Sequence, residues 1–383
     1  MTMTTQPTGS RQREAAFVAR AAACAPVLER HAARHDEEGS WVGESFEQVR
    51  DAGLLAIGVP EDLGGEGATI RELAMVQREL AKHCAATALA TSMHQHVTAF
   101  TAWRHRRSMP GAETTLKRIA AEGIVLVSTG GGDLTRPRGT ARRVDGGYRV
   151  TGRKPFASQA PVGDVLSTMA VFDDPEQGRR VLNLAVPFGS EGLSVDPNWD
   201  ALGMRGTASH EVVLDDVFVP DERVLGNRPH DVLDPPLQVI LTIAIPIIAA
   251  VYLGVAECAR DHAVRLVAGV DDPGVQRQVG CMQQRLQVAS WALDGALAVV
   301  GEDPQPSMET VAAVMAAKRE IAAAGAEVCD VAMDVAGGRA YRKGSPIERA
   351  YRDIRAVKFH PLTPEATLLH AGRLALGVRC DRI

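Results

Sequence analysis

The chain has 383 residues, with 45% hydrophobic and 23% charged, the balance of a globular protein with a large core, and this excludes disorder of the whole chain. A formal net charge of -5 with no basic stripe excludes nucleic acid as an expected partner. The cysteines Cys24, Cys84, Cys258, Cys281, Cys329 and Cys380 show no CxxC spacing, so no metal site or dithiol is indicated, and reduced thiols in apolar stretches fit a cytoplasmic setting.

The opening MTMTTQPTGSRQREAA lacks the apolar core of a signal peptide, and residues 1–12 read as a flexible N-terminus. Residues 13–122 read as helical. In TIRELAMVQRELAKHC the apolar positions Ile70, Leu73, Met75, Val76 and Leu80 follow a period close to 3.6. The alanine-rich ATALATSMHQHVTAF continues the pattern, and the cluster Arg104, Arg106 and Arg107 reads as a solvated helix end. The texture changes over residues 123–225. IVLVSTG has strand length, TARRVDGGYRVTGRKPF reads as a hairpin turning at Asp145-Gly146-Gly147, and VLSTMAVF, RVLNLAVPF, LSVDP and HEVVLDDVFVP follow at the spacing of an antiparallel sheet or barrel. Residues 226–383 are helical again. The apolar run from Ile240 to Ala256 is short for a membrane span and contains Pro246, so it reads as a buried bundle helix and no membrane partner is expected. A further helix begins near Ser307, a capping residue with Glu309 in the first turn, and ends at Gly337-Gly338.

This order of helices, strands and helices carries four motifs. They are GLLAIGVPEDLGGEGATIRELAMVQRELAKH, GYRVTGRKPFASQAPVGD, WDALGMRGTASHEVVLDDVFVPDERVLG and VAGGRAYRKGSPIERAYRDIRAVKF. In this order and spacing they resemble the acyl-CoA dehydrogenase superfamily over about Glu14 to Gly377. The resemblance implies an α+β multidomain fold: an N-terminal helical domain, a central antiparallel β domain and a C-terminal four-helix bundle, assembled as a homotetramer or homodimer. It also implies an FAD-dependent oxidoreductase, or alternatively one using reduced FMN or FADH2 supplied by a separate reductase. A small-molecule substrate, possibly a thioester in the family's manner, and a flavin reductase or electron-transfer partner belong to the same expectation.

The resemblance places Ser128 near the pyrimidine end of the flavin, Ser158 near its N5 and Phe156 against its ring. The residues themselves allow a plainer reading, since serines commonly end strands. Arg265, Gln283, Asp334, Gly337 and Gly338 stand where the family holds the flavin phosphates, partly from a neighbouring subunit, and Thr363 joins the cofactor-binding set. No GxGxxG fingerprint occurs. Asp334 replaces a frequent glutamine, and Ala268 an aromatic residue.

The family's desaturation chemistry needs a carboxylate across the substrate from the flavin. In the aligned segment His360-Pro361-Leu362-Thr363, proline occupies the glutamate position, and the alternative position near Ala244 and Ile245 has no carboxylate. Glu365 is a third candidate, though it suits a helix N-terminus. His360, His94 and His96 remain, with ordinary pKa values near working pH. Some relatives on this fold are oxygen-using monooxygenases that lack the glutamate and carry a comparable histidine and serine, which His360 and Ser158 resemble. Three readings follow: an oxygen-using hydroxylase of a small molecule with His360, Ser158, His94 and His96 as catalytic candidates; an acyl-CoA or acyl-carrier dehydrogenase with a relocated base; and a catalytically silent flavin- or ligand-binding subunit.

Overall fold

A computed structural model describes residues 8–134 and 136–382. The N-terminal helices are α1 (Thr8–Ala22), α2 (Ala25–Glu38), α3 (Gly43–Asp51), α4 (Ile70–His83), α5 (Ala85–His105) and α6 (Ala112–Glu122). The flexible stretch expected to residue 12 is helical from Thr8, while residues 1–7 lie outside the described residues. Arg13 anchors this start by donating to the Glu66 and Gly67 carbonyls at 2.9 and 2.7 Å. α4 begins with a capping box in which Thr69 and Glu72 satisfy each other's backbone N–H groups.

The sheet follows, with β1 (Leu126–Ser128), a short helix α7 (Gly130–Asp133), then β2 (Thr140–Val144), β3 (Gly147–Ala157), β4 (Val165–Asp174), β5 (Gly178–Pro187), β6 (Leu193–Asp196), β7 (His210–Pro220) and β8 (Val224–Pro229). The strand order is β6-β7-β3-β2-β4-β5-β8, with β1 beside β4. Most pairs are antiparallel, but β4 runs parallel to both β1 and β2. The β2–β3 hairpin pairs Val144 with Gly147, so Asp145 and Gly146 form a two-residue turn. The sheet extends past residue 225, because β8 pairs with β5 as far as Pro229 opposite Arg180.

The C-terminal helices are α8 (Pro235–Leu266), α9 (Pro273–Val300), α10 (Met308–Ala336), α11 (Pro346–Asp353) and α12 (Pro364–Ala375). The most apolar window of α8 is 94% buried inside the fold, which accounts for its hydrophobicity without a membrane. Its contact with α4 is close: an added Cβ on Gly254 would lie 2.2 Å from the Arg78 carbonyl oxygen, so this crossing requires glycine. Arg78 also donates to Glu257 of α8 and to Ser290 of α9.

The RDIR segment is the seam between the three layers. Arg352 donates to the Asp36 carboxylate of α2 and to the Leu202 carbonyl at 3.1 Å. Asp353, buried, accepts the Met204 N–H, and burial raises its pKa to about 6. The motif therefore fixes where the following residues, 354–363, meet the sheet.

Candidate active site

Two hollows meet beside residues 360–363. The inner cavity, about 370 Å3, is lined by His96 and Phe100 of α5, Ile240 and Ala244 of α8, Ser128 of β1, and His360. The outer cleft, about 910 Å3, lies between Phe156 and Arg136 on the sheet side and Phe359, Thr363 and Arg373 on the helical side. Gly131 and Pro361 border both.

His360 is half-buried, and its Nε2 lies 2.7 Å from the Tyr252 hydroxyl. Burial, the Lys318 ammonium and the His96 ring lower its pKa to about 3. The ring is therefore neutral at pH 7, not poised near working pH as its ordinary value suggests. Tyr252 is fully buried, which pushes its own pKa well up and keeps the phenol protonated. Lys318 fixes the backbone of the segment by donating to the His360 carbonyl and, at 2.8 Å, to the Leu362 carbonyl. Sequence reasoning singled out neither Tyr252 nor Lys318, because each lies on a helix that reads as core.

The two histidines of α5 part company. His96 bonds the Ser92 carbonyl through Nδ1 at 3.0 Å, which leaves Nε2 to accept from the Ser128 hydroxyl at 3.4 Å. Burial lowers its pKa to about 4. His94, by contrast, lines neither hollow: Nε2 meets the Leu55 carbonyl and Nδ1 accepts the Leu126 N–H, both at 3.0 Å. Both nitrogens are engaged by backbone, so His94 ties α5 to the Leu55 carbonyl and to β1. Ser158 also borders neither hollow. Its hydroxyl is 2.7 Å from that of Ser209, which continues to Thr207 at 2.7 Å.

Phe156 stands at φ 64°, a left-handed conformation rare for an aromatic residue, and its side is 48% exposed in the cleft. Trp199 supports it edge-on at 6.1 Å and 82°. The loop facing it is held from below: Lys154, fully buried, lies 2.7 Å from Asp133 Oδ2 and also donates to the Arg138 and Met169 carbonyls. Thr363 lines the cleft and caps α12. An exposed aromatic plate, small Gly131 opposite it, the hydroxyls of Ser128 and Thr363 and the cation of Arg136 fit a flavin. Arg265 and Asp334, at the C-terminal ends of α8 and α10, Gly337 and Gly338 just after α10, and Gln283, within α9, are exposed and border neither hollow. Arg339 ties that glycine turn to α8 through the Leu266 carbonyl at 3.4 Å, and Arg260 donates to Gln283 at 2.5 Å.

No carboxylate borders the junction among the described residues. Glu365 is exposed on α12 and outside both hollows, while Asp234 is the one carboxylate among the described residues of the inner cavity, ten residues before Ala244, or about 15 Å of helix rise. Arg104, expected as a solvated helix end, is only 5% exposed and lines the same cavity. The helix end is covered there by the loop through Met109 and Pro110.

A sheet between helical layers, with an aromatic plate over a cleft and an apolar cavity behind it, defines a flavin-dependent oxidoreductase. The chain belongs to the acyl-CoA dehydrogenase family: residues 11–122 match its N-terminal domain, 128–217 its middle domain and 246–365 its C-terminal domain. The amino sugar nitrososynthase DnmZ of Streptomyces peucetius is 30% identical over 376 residues, covering 92% of this chain and 91% of that protein. An isobutylamine N-hydroxylase of Streptomyces viridifaciens is 29% identical over 349 residues, 88% of each. The mitochondrial short-chain specific acyl-CoA dehydrogenase of Homo sapiens is 26% identical over 366 residues, 91% of this chain and 86% of that one. Among solved structures, KijD3 in complex with FMN and dTDP-3-amino-2,3,6-trideoxy-4-keto-3-methyl-D-glucose superposes with a TM-score of 0.86 at 26% identity, covering 99% of this chain and 96% of that one.

Proposed function

We propose that the chain is an oxygen-using flavin hydroxylase of a small, nitrogen-bearing molecule and not a thioester desaturase. One observation carries this reading: where the two hollows join, Pro361, which the resemblance sets at the family's base position, stands beside a neutral His360, and among the described residues no carboxylate borders the junction. Abstraction of an α proton needs a base within hydrogen-bond reach, and Asp234, at the N-cap of α8, is about 15 Å of helix rise from Ala244.

Hydroxylation asks for other things. The apolar wall of Phe100, Ile240, Ala244 and Ile248 keeps water from the reacting atoms. With the Tyr252 hydroxyl donating to Nε2, His360 carries its proton on Nδ1 and holds a substrate heteroatom by donating to it. His96 turns the Ser128 hydroxyl toward α5 and leaves its oxygen as an acceptor. A bound reduced flavin supplies the electrons that activate oxygen. Phe156, Ser128 and Thr363 would hold its ring region. In a homo-oligomer, Arg265, Gln283, Asp334, Gly337 and Gly338 of an adjacent copy would approach its phosphate end, and a separate reductase would deliver the reduced cofactor. The nitrogen-oxidising relatives favour an amine as the group oxidised.

The test supplies purified protein with FMN or FAD, a flavin reductase with NADH, oxygen and a panel of primary amines. Oxygen uptake above the amine-free rate, with an N-hydroxylated product by mass spectrometry, is expected. Anaerobic bleaching of bound flavin by acyl-CoA thioesters, without oxygenated product from any amine, would overturn the proposal.

A further inference from the structure

Arg104, Arg106 and Arg107 end α5 together, yet their surroundings differ. Arg106 and Arg107 reach out to the exposed Asp303 carboxylate, at 3.2 Å and 2.9 Å. Arg104 turns inward. It is 5% exposed, lines the inner cavity and donates from Nη2 to the Pro110 carbonyl at 2.9 Å. Among the described residues no carboxylate forms an ion pair with it, and burial alone lowers its pKa. A guanidinium has five N–H donors in a planar fork, and the tether to Pro110 uses one. A desolvated cation without a counter-ion is unfavourable in a core and is retained where a ligand completes it.

We infer that Arg104 anchors a substrate carboxylate, so that the molecule oxidised in this cavity carries an acid group about two helical turns from its reacting atom. The inference rests on the reading of this cavity as the substrate site. His96, beside the junction, and Arg104 are eight residues apart on α5, a rise of about 12 Å. Between them the wall is apolar, with Phe100 and Val97 on α5 and Ile240 and Leu241 on α8. The pattern asks for an amphipathic ligand: an acid at one end, a hydrocarbon body and the oxidisable group at the other.

A carboxylate fits better than a diphosphate. Among the described residues, the formally charged ones lining the cavity are Arg104 and Asp234, so the wall is neutral overall, and a diphosphate would bring two or more negative charges against a single cation. One guanidinium fork matches one carboxylate in bidentate fashion. The nucleotide-linked sugar bound by KijD3 is thus not the expected ligand class for this chain.

The test is equilibrium binding by calorimetry to the protein loaded with oxidised flavin, which needs no turnover. The probes are octanoate, octan-1-ol and octylamine. Octanoate is expected to bind the wild type about 10- to 100-fold more tightly than octan-1-ol, the difference a charged hydrogen-bonded pair provides. Arg104→Met should abolish that preference while leaving octan-1-ol affinity unchanged, and Arg104→Lys should restore part of it. Octan-1-ol binding, together with the thermal midpoint, separates a lost anchor from a disturbed fold. Equal affinity for octanoate and octan-1-ol in the wild type, tighter binding of octylamine than of octanoate, or a preference for octanoate that survives in Arg104→Met would overturn the inference. None of these outcomes bears on oxygen uptake with reduced flavin, which tests the hydroxylase reading separately.

Discussion

The Tyr252 hydroxyl and His360 Nε2, 108 residues apart in sequence, stand 2.7 Å apart and join the middle of the longest helix to the segment that carries Pro361. The contact does two things. It sets which nitrogen of His360 faces the cavity, and it ties residues 360–362 to α8 from one side while Lys318 holds the same backbone from α10.

Tyr252→Phe should therefore uncouple the enzyme more than it unfolds it. The variant leaves His360 Nε2 without its partner, a loss of about 1–3 kcal/mol in stability. The freed ring no longer presents one fixed nitrogen, so product formed per oxygen consumed should fall while the dissociation constant for FMN stays within about twofold of wild type (~0.4 kcal/mol). The ratio of product to oxygen, measured beside an FMN titration, checks this. A normal ratio would show that the Tyr252 contact does not set the geometry of His360.

Stability should fall steeply on mild acidification. His94, His96 and His360 are held neutral in the fold, with pKa values of about 4, 4 and 3 against 6.5 when exposed. Their contribution is fully present above pH 6.5 and is lost as pH falls toward those lower values, because the unfolded chain binds protons that the folded one refuses. Asp353 opposes them: its pKa, raised to about 6 from 3.8, makes the folded chain take up a proton first in that window. Two net protons correspond to about 3 kcal/mol per pH unit between pH 6 and pH 4.5. Urea melts at pH 7, 6 and 5 measure the slope, and a flat profile would mean the histidines are charged inside the fold.

Much of the scaffold was legible because it rests on local chemistry. Ser307 accepts the Thr310 N–H at 3.1 Å and starts α10, Gly337 ends it at φ 59°, and the Asp145-Gly146 turn sets the β2–β3 register. The candidate site was less legible because α5 is buried on nearly every face. Such a helix has no polar side to mark the cavity. His94 and His96, two positions apart, necessarily point in different directions, and only the placement of β1 decides which one meets backbone. Arg104 is hidden by the loop that follows it, a fact no helical period records. Tyr252 and Lys318 sit on apolar helices, and their partners come from residues 360–362, far along the chain.

Lys154 and Asp133 form a buried ion pair at 2.7 Å, with side-chain exposures of 0% and 1%. Lys154→Met should lower stability by about 3–5 kcal/mol, since Asp133 would be left as an uncompensated buried charge. The double variant Lys154→Met/Asp133→Leu should recover part of that loss, because it removes both charges while leaving the Arg138 N–H and the Arg138 and Met169 carbonyls without these side-chain partners. Comparing the two in urea melts distinguishes a pair that holds the Asp133 loop from one that merely fills space. Equal loss in single and double variants would assign the effect to packing.

Phe156 poses a conflict between stability and binding. At φ 64° an aromatic residue is in a conformation that costs about 1–2 kcal/mol, whereas glycine adopts it freely. Its side chain is 48% exposed, so its burial returns little beyond the edge contact with Trp199. Phe156→Gly should thus leave the fold equally stable or up to about 1 kcal/mol more stable. The same change removes the plate on which the flavin ring would rest, and affinity for FMN should fall about 10-fold, the scale of one aromatic stacking contact. Thermal melting and flavin fluorescence titration read the two effects independently. Loss of stability with unchanged flavin affinity would show that Phe156 serves the sheet and not the cofactor.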